Sequence, residues 1–221
     1  MNPTPEQVDA GHAFYTKRTL ALYDLAILGY FSRLAWRCPA RRIQEHYDAH
    51  VTGNHLDVGV GTGYFLNHAR FPAPEPRIAL MDLNESCLEV ASQTLSRFDP
   101  ETHRVNVLEP SSLEVEPFDS VGLNYVLHCL PGDIRSKGNL VFRHLKPLLN
   151  DGGVLFGATL LHDGVHRNWF ARQVMKRNND HGIFSNTSDD LAGLREVLHS
   201  NFTDTSIEIV GCVAVFAARM Q

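Results

Sequence analysis

The run LDVGVGTG at residues 56–63 constrains this chain more than any other stretch. An apolar segment at 55–60 breaks off into three glycines, Gly59, Gly61 and Gly63, and a helical pattern follows at 62–69. Glycine adopts backbone angles closed to other residues and lets a ligand approach the main chain. The helix start beyond presents unpaired N–H groups and a partial positive charge. Strand, glycine turn and helix in that order open a βαβ unit, and the chain keeps the alternation afterwards. Strands are predicted at 77–82, 104–108, 118–127 and 153–161, and helices at 85–98, 133–149 and 189–200, the last opened by Ser188 as N-cap. Residues 206–210 and 212–218 flank Gly211 with too few residues for a crossover helix, so they must pair antiparallel. The expected fold is α/β and doubly wound, a mainly parallel seven-stranded sheet ending in a C-terminal antiparallel hairpin.

Ahead of the glycine run the pattern is helical. Leu20, Tyr23, Ile27, Tyr30, Phe31 and Leu34 recur at steps of three or four, and 41–49 suits another short helix. The chain therefore divides into an N-terminal helical lid or cap at 1–50 and a ligand-binding domain at 51–221. A polar insertion lies at about 162–186, with one helix near 169–176.

The ligand follows from detail. The dinucleotide fingerprint is G-x-G-x-x-G, whereas the spacing here is G-x-G-x-G with Tyr64 where the third glycine would fall. Asp57 stands two residues before Gly59. A carboxylate there suits the cationic end of a ligand and repels a pyrophosphate. No G-K-[ST] follows, so the Walker phosphate loop is absent. The next strand ends in Asp82, whose two oxygens suit the two hydroxyls of a ribose, and Leu83 can pack on an adenine face. Net charge is −5, from 20 Lys and Arg against 25 Asp and Glu, which argues against nucleic acid as substrate. The cluster Arg33, Arg37, Arg41 and Arg42 reads as solvated helix charge.

These residues resemble class I S-adenosylmethionine-dependent methyltransferases of the small-molecule type. The run at 56–63 looks like their first motif, (D/E)-x-G-x-G-x-G. MDLN at 81–84, FDSVGLNYVLH at 118–128, LLNDGG at 148–153 and VAVFAAR at 213–219 resemble their later motifs, so the likeness spans about residues 50–220. The resemblance implies S-adenosylmethionine as cofactor and S-adenosylhomocysteine as product. It places Asp57 near the methionine amino group, with Gly59, Gly61 and Gly63 around the methionine part. Asp82 would hold the ribose, Leu83 and Glu109 would meet adenine, and Asn124 would line the methionine end through its backbone. Pro110 departs from the pattern, because proline has no N–H to offer adenine, and Ser111 or Ser112 would serve instead.

Methyl transfer from a sulfonium asks mainly for alignment and a dry site, and for a base only when the acceptor oxygen or nitrogen carries a proton. His128, just past the fourth strand, is the candidate base; a backbone hydrogen bond or a place in the pocket wall accounts for it equally well. Tyr15, Lys17 and Tyr23 are candidates for capping the cofactor or binding the acceptor, against a helix simply packed on the sheet. His162, with Asp163, is a candidate for orienting an acceptor, against a polar loop pair, and Trp169, with Phe170, for the pocket's far wall, against ordinary packing. His46 and His50, and His162 and His166, stand four apart without further ligands, so no metal is expected.

The four cysteines, Cys38, Cys87, Cys129 and Cys212, are scattered, the N-terminus lacks a signal-peptide pattern, and no apolar run reaches a membrane span. The expected place is the cytoplasm, and the expected partner is a small-molecule acceptor, with a homodimer through the N-terminal helix left open. Two further readings stay open: a methyltransferase fold that binds cofactor without methylating, and an RNA or protein methyltransferase.

Overall fold

A computed structural model of the chain describes residues 32–110 and 113–220. The predicted lid helix with Tyr15, Lys17 and Tyr23, and the serines Ser111 and Ser112, lie outside the described residues.

After a helical turn at Ser32–Leu34, helix α1 spans Ala40–His50 and leads into strand β1, Asn54–Val58. Then follow α2 (Tyr64–Asn67), β2 (Arg77–Asp82), α3 (Glu85–Thr94), β3 (Glu101–Arg104) and β4 (Phe118–Asn124). The second half contains α4 (Ile134–Leu145), β5 (Leu149–Leu160), α5 (Trp169–Asp180), α6 (Leu191–Asn201), β6 (Asp204–Val210) and β7 (Val213–Arg219). The seven strands form one sheet in the order β3-β2-β1-β4-β5-β7-β6. Pairing is parallel from β3 through β5, while β7 runs antiparallel to both β5 and β6. The expected doubly wound sheet with its terminal hairpin is thus the observed one.

Both faces of the sheet are covered, and the period of two along β2 shows how. Ile78 and Leu80 join the cluster under α1 and α3 with Tyr47, Leu88 and Ala91. Ala79 and Met81 join the cluster under α4 and α6 with Phe142, Leu145 and Leu194. Local chemistry fixes where the helices start. Asn84 accepts from Ser86 N at 2.9 Å to cap α3, and Asp133 accepts from Arg135 N at 3.0 Å and Ser136 N at 3.1 Å to cap α4. Among the described residues no helix is long and apolar enough to cross a membrane.

Two expectations are corrected. The third strand is Glu101–Arg104 rather than 104–108. It is an edge strand, pairing with β2 from Ala79↔Glu101 to Asp82↔Arg104, and its one-sided burial leaves a polar sequence. The apolar residues Val105 and Val107 leave the sheet and line a cleft instead. The N-cap of α6 is Asp190, accepting from Gly193 N at 2.6 Å, not Ser188. The helix starts later because Asp189 is drawn inward to Lys137.

That pair is fully buried on both sides, with Lys137 Nζ 2.7 Å from Asp189 Oδ2. The same ammonium donates to Ser185 O at 2.7 Å and Leu130 O at 3.1 Å. The pair therefore ties the insertion between β5 and α6 to the turn after β4. Burial pushes the Asp189 carboxyl up to about 7 and draws the Lys137 ammonium down, so the pair fixes position more than it adds net stability. Removing one partner leaves the other buried alone. Lys137→Met is expected to lower unfolding free energy by about 3–5 kcal/mol in urea titrations. The loss should widen as pH rises and the unpaired carboxyl is pressed to ionise. A loss below about 1 kcal/mol would show that the pair is not the clamp described.

Candidate cofactor and acceptor cleft

The parallel strands β1, β2 and β4 end together, and a cleft of about 170 Å³ opens at their carboxyl edge. This is the switch point of the sheet, where chain direction from β1 goes one way to β2 and the other to β4. The glycine loop forms its floor. Gly59 has φ +69, and a Cβ there would stand 2.2 Å from Val126 Cγ2, so only glycine lets the loop close against the end of β4. Gly61 has φ +53, and a Cβ on it would meet nothing within 4 Å, because it faces open cleft. Gly63 does not line the cleft. It caps α2 in the left-handed conformation, and its missing Cβ admits Ala91 and Leu95 of α3.

Asp57 lines one end of the cleft at 7% exposure, and its Oδ1 accepts from Tyr47 Oη at 3.2 Å. Asp82 lines the other end, with one oxygen taking the N–H of Asn84 at 2.8 Å. Leu83, Val105, Asn106 and Val107 wall that second end. Asn124 ends β4, on the side of β1 away from β2 and Asp82, and both its side-chain polar atoms are buried without a protein hydrogen-bond partner. Two carboxylates at neighbouring strand ends, an apolar slot beside one of them and an unsatisfied amide beyond the other match the chemistry of S-adenosylmethionine, with its cationic amino acid, ribose diol and flat base. The residues present fit that group.

Beyond Asn124 the backbone is strained. Tyr125 has φ +59, an unusual value for an aromatic residue, and its N–H donates to Ala158 O at 2.7 Å. The strain turns the tyrosine into the cleft, where its ring stacks on Phe65 at 6.4 Å. Tyr64, Cys129, Leu130 and Pro131 complete this wall.

Five residues predicted for the site stand apart from the cleft lining. Gly63 serves helix packing, as above. Glu109 is exposed and accepts from Asn106 Nδ2 at 2.8 Å, so it holds a residue that lines the cleft. His128 is 3% exposed on the short turn Leu127–Cys129, behind the cleft, edge-on to Phe184 at 4.7 Å. Burial takes its imidazole down to about 3. His162 contacts Asp163, 3.2 Å away, and Trp169 is 69% exposed at the start of α5. The sequence reading missed the aromatic wall of Phe65 and Tyr125, and also Tyr47 and Asn106. Tyr47 comes from α1, outside every motif, although its four-residue step from Ile43 marks the helix's buried face. Asn106 was hidden inside the misplaced third strand. His46 and His50 bond backbone carbonyls, and among the described residues no group of three potential metal ligands gathers.

Comparison with known proteins agrees with this geometry. A family described as methyltransferase domain matches residues 56–155. Demethylluteothin O-methyltransferase of Streptomyces thioluteus is 42% identical over 96% of this chain and 92% of its own length. The physcion biosynthesis cluster O-methyltransferase of Aspergillus chevalieri is 35% identical over 98% of this chain and 97% of its own. Among solved structures, the DhpI–SAH complex superposes with TM-score 0.70 at 16% identity, covering 98% of both chains. Human N-acetylserotonin methyltransferase in complex with SAM superposes with TM-score 0.68 at 17% identity, covering 99% of this chain and 60% of that one. The chain belongs to the class I S-adenosylmethionine-dependent methyltransferases, and its cofactor is S-adenosylmethionine.

Proposed function

We propose that the protein methylates a hydroxyl oxygen, phenolic or enolic, on a small and mostly apolar molecule. The observation that carries this reading is the cleft wall beyond Asn124. Tyr64, Phe65, Tyr125, Leu130 and Pro131 line it, and the described lining residues include two carboxylic acids, Asp57 and Asp82, and no Lys, Arg or His. An RNA or an acidic peptide would need cations there. Two relatives bear the name O-methyltransferase, which supports oxygen as the acceptor.

When bound, S-adenosylmethionine supplies a methyl group on a sulfonium, ready for in-line displacement. The chain's own residues do the rest. Asp57 and Asp82 would hold the cofactor's amino-acid and ribose parts, Leu83 and Asn106 would bound the adenine slot, and Asn124 would offer its amide on the β4 side of Asp57. The aromatic wall keeps water out and sets the acceptor's approach. An acceptor hydroxyl must shed its proton during transfer. His128 is a poor base, buried behind the cleft and held neutral down to about pH 3. A hydroxyl that ionises readily by itself therefore suits the site best. The 1–50 segment belongs to this reading as a cap. Tyr47 of α1 already lines the cleft, and Tyr15, Lys17 and Tyr23 would extend its wall. Four free cysteines suit a reducing cytoplasm.

Incubation with methyl-labelled S-adenosylmethionine and panels of phenols, enols, aliphatic alcohols, amines and RNA tests the acceptor. Label in an O-methyl phenol or enol ether is expected, and label confined to amines or RNA would refute the reading. In calorimetry, Asp82→Ala should weaken S-adenosylhomocysteine about 10- to 100-fold, and unchanged affinity would remove Asp82 from the ribose.

His128 also makes a prediction about pH. Its folded-state pKa is depressed, so its contribution is complete above the ordinary value near 6.5 and is lost as pH falls toward about 3. Within that window stability should fall by about 1.4 kcal/mol per pH unit from this group. His128→Gln should give a shallower decline of the urea midpoint between pH 6 and 4, and parallel declines would contradict the assignment.

A further inference from the structure

Asp57 does not stand alone at the end of β1. Tyr47 Oη lies 3.2 Å from Asp57 Oδ1 and 2.8 Å from His55 Nε2. His55 Nδ1 lies 2.8 Å from Ser120 Oγ, which also accepts from Thr52 N at 3.1 Å. Tyr47, His55 and Ser120 are 1% exposed or less. Phe156 fixes the two rings, edge-on to Tyr47 at 5.1 Å and stacked on His55 at 5.7 Å. Space for the pair is made on the neighbouring strand. A Cβ at Gly122 of β4 would stand 2.7 Å from Asp57 Oδ1 and 3.2 Å from His55 Nε2.

The Tyr47 hydroxyl donates to the Asp57 carboxyl oxygen. The other two contacts, Tyr47 Oη with His55 Nε2 and His55 Nδ1 with Ser120 Oγ, take their direction from the histidine tautomer. Ser120 Oγ also lies 2.9 Å from Thr52 Oγ1. A connected buried network of this kind holds the Tyr47 hydroxyl in place beside Asp57. Burial raises the Tyr47 phenol well above its ordinary value, so the donor stays protonated.

We propose that Tyr47, His55 and Ser120 form a buried hydrogen-bond relay that orients the Asp57 carboxylate toward the cofactor's amino-acid end, with Tyr47 as its positioning residue. The relay makes α1, which precedes the glycine loop, part of the cofactor site. It rests on the reading of Asp57 as partner of the cofactor's amino group.

The test compares two ligands by calorimetry. S-adenosylhomocysteine carries the amino acid, and 5′-methylthioadenosine keeps the adenosine and sulfur without it. Tyr47→Phe keeps the ring against Phe156 and removes the hydroxyl. It should weaken S-adenosylhomocysteine about 5- to 20-fold and leave 5′-methylthioadenosine within about twofold. Equal weakening of both ligands, or of neither, overturns the proposal. Ser120→Ala, at the far end of the relay, should give the same selective loss at smaller size, and it decides the matter if Tyr47→Phe does not fold. Asp57→Asn separates the two layers. A selective loss there without one in Tyr47→Phe sinks the relay alone. No selective loss in Asp57→Asn sinks the reading of Asp57 and the relay with it.

Discussion

Asp57 keeps 7% of its surface exposed at the carboxyl end of a central parallel strand, and a carboxylate so far from water persists only where donors or a cation meet it. Much of the surrounding architecture meets that demand. Tyr47 supplies a donor from α1, and β4 yields room by carrying Gly122 opposite the carboxylate. The glycine loop then turns away fast enough to leave open space above. In the proposed reading the remaining partner is the cationic end of the cofactor, which the buried carboxylate would attract.

The sheet order explains why the site lies where it does. Strands β1 and β4 are neighbours in the sheet, but the chain between them goes out through β2 and β3 and returns. Loops leaving β1 and β4 therefore diverge, and the gap between them is the cleft. The insertion after β5 is held against its rear by Lys137 and Asp189, and by Ser185 N donating to His128 O at 2.8 Å. That clamp fixes the short turn at Leu127–Cys129, and with it the wall that starts at the strained Tyr125. The acceptor wall is thus set by contacts on its far side, which is why a charged pair is kept in a place where apolar residues would pack well.

Glycine spacing, two strand-end acids and the short link at Gly211 made the fold and the position of the cleft readable from sequence, because each is a local signal. What failed to show depended on distant contacts. The edge strand β3 is polar because only one side is covered, so periodicity favoured the apolar Val105 and Val107 beside it. Glu109 has the residue type that the family resemblance implies, yet it stands outside the cleft lining and bonds Asn106, which lines it. His128 follows a strand in a suggestive place, but its direction is decided by Phe184 and the insertion, some fifty residues later in the chain. Tyr47 belongs to no motif, and only the packing of α1 over Phe156 brings its hydroxyl to Asp57.

The central claim is that one ligand spans the cleft from Asp57 to Asp82. A crystal structure of the protein grown with S-adenosylhomocysteine tests it most directly. The account predicts density along the cleft with the amino nitrogen within about 3 Å of an Asp57 oxygen or of one bridging water, and the ribose hydroxyls on Asp82. Ligand density elsewhere, or a ligand in the cleft whose amino group turns away from Asp57, would contradict it.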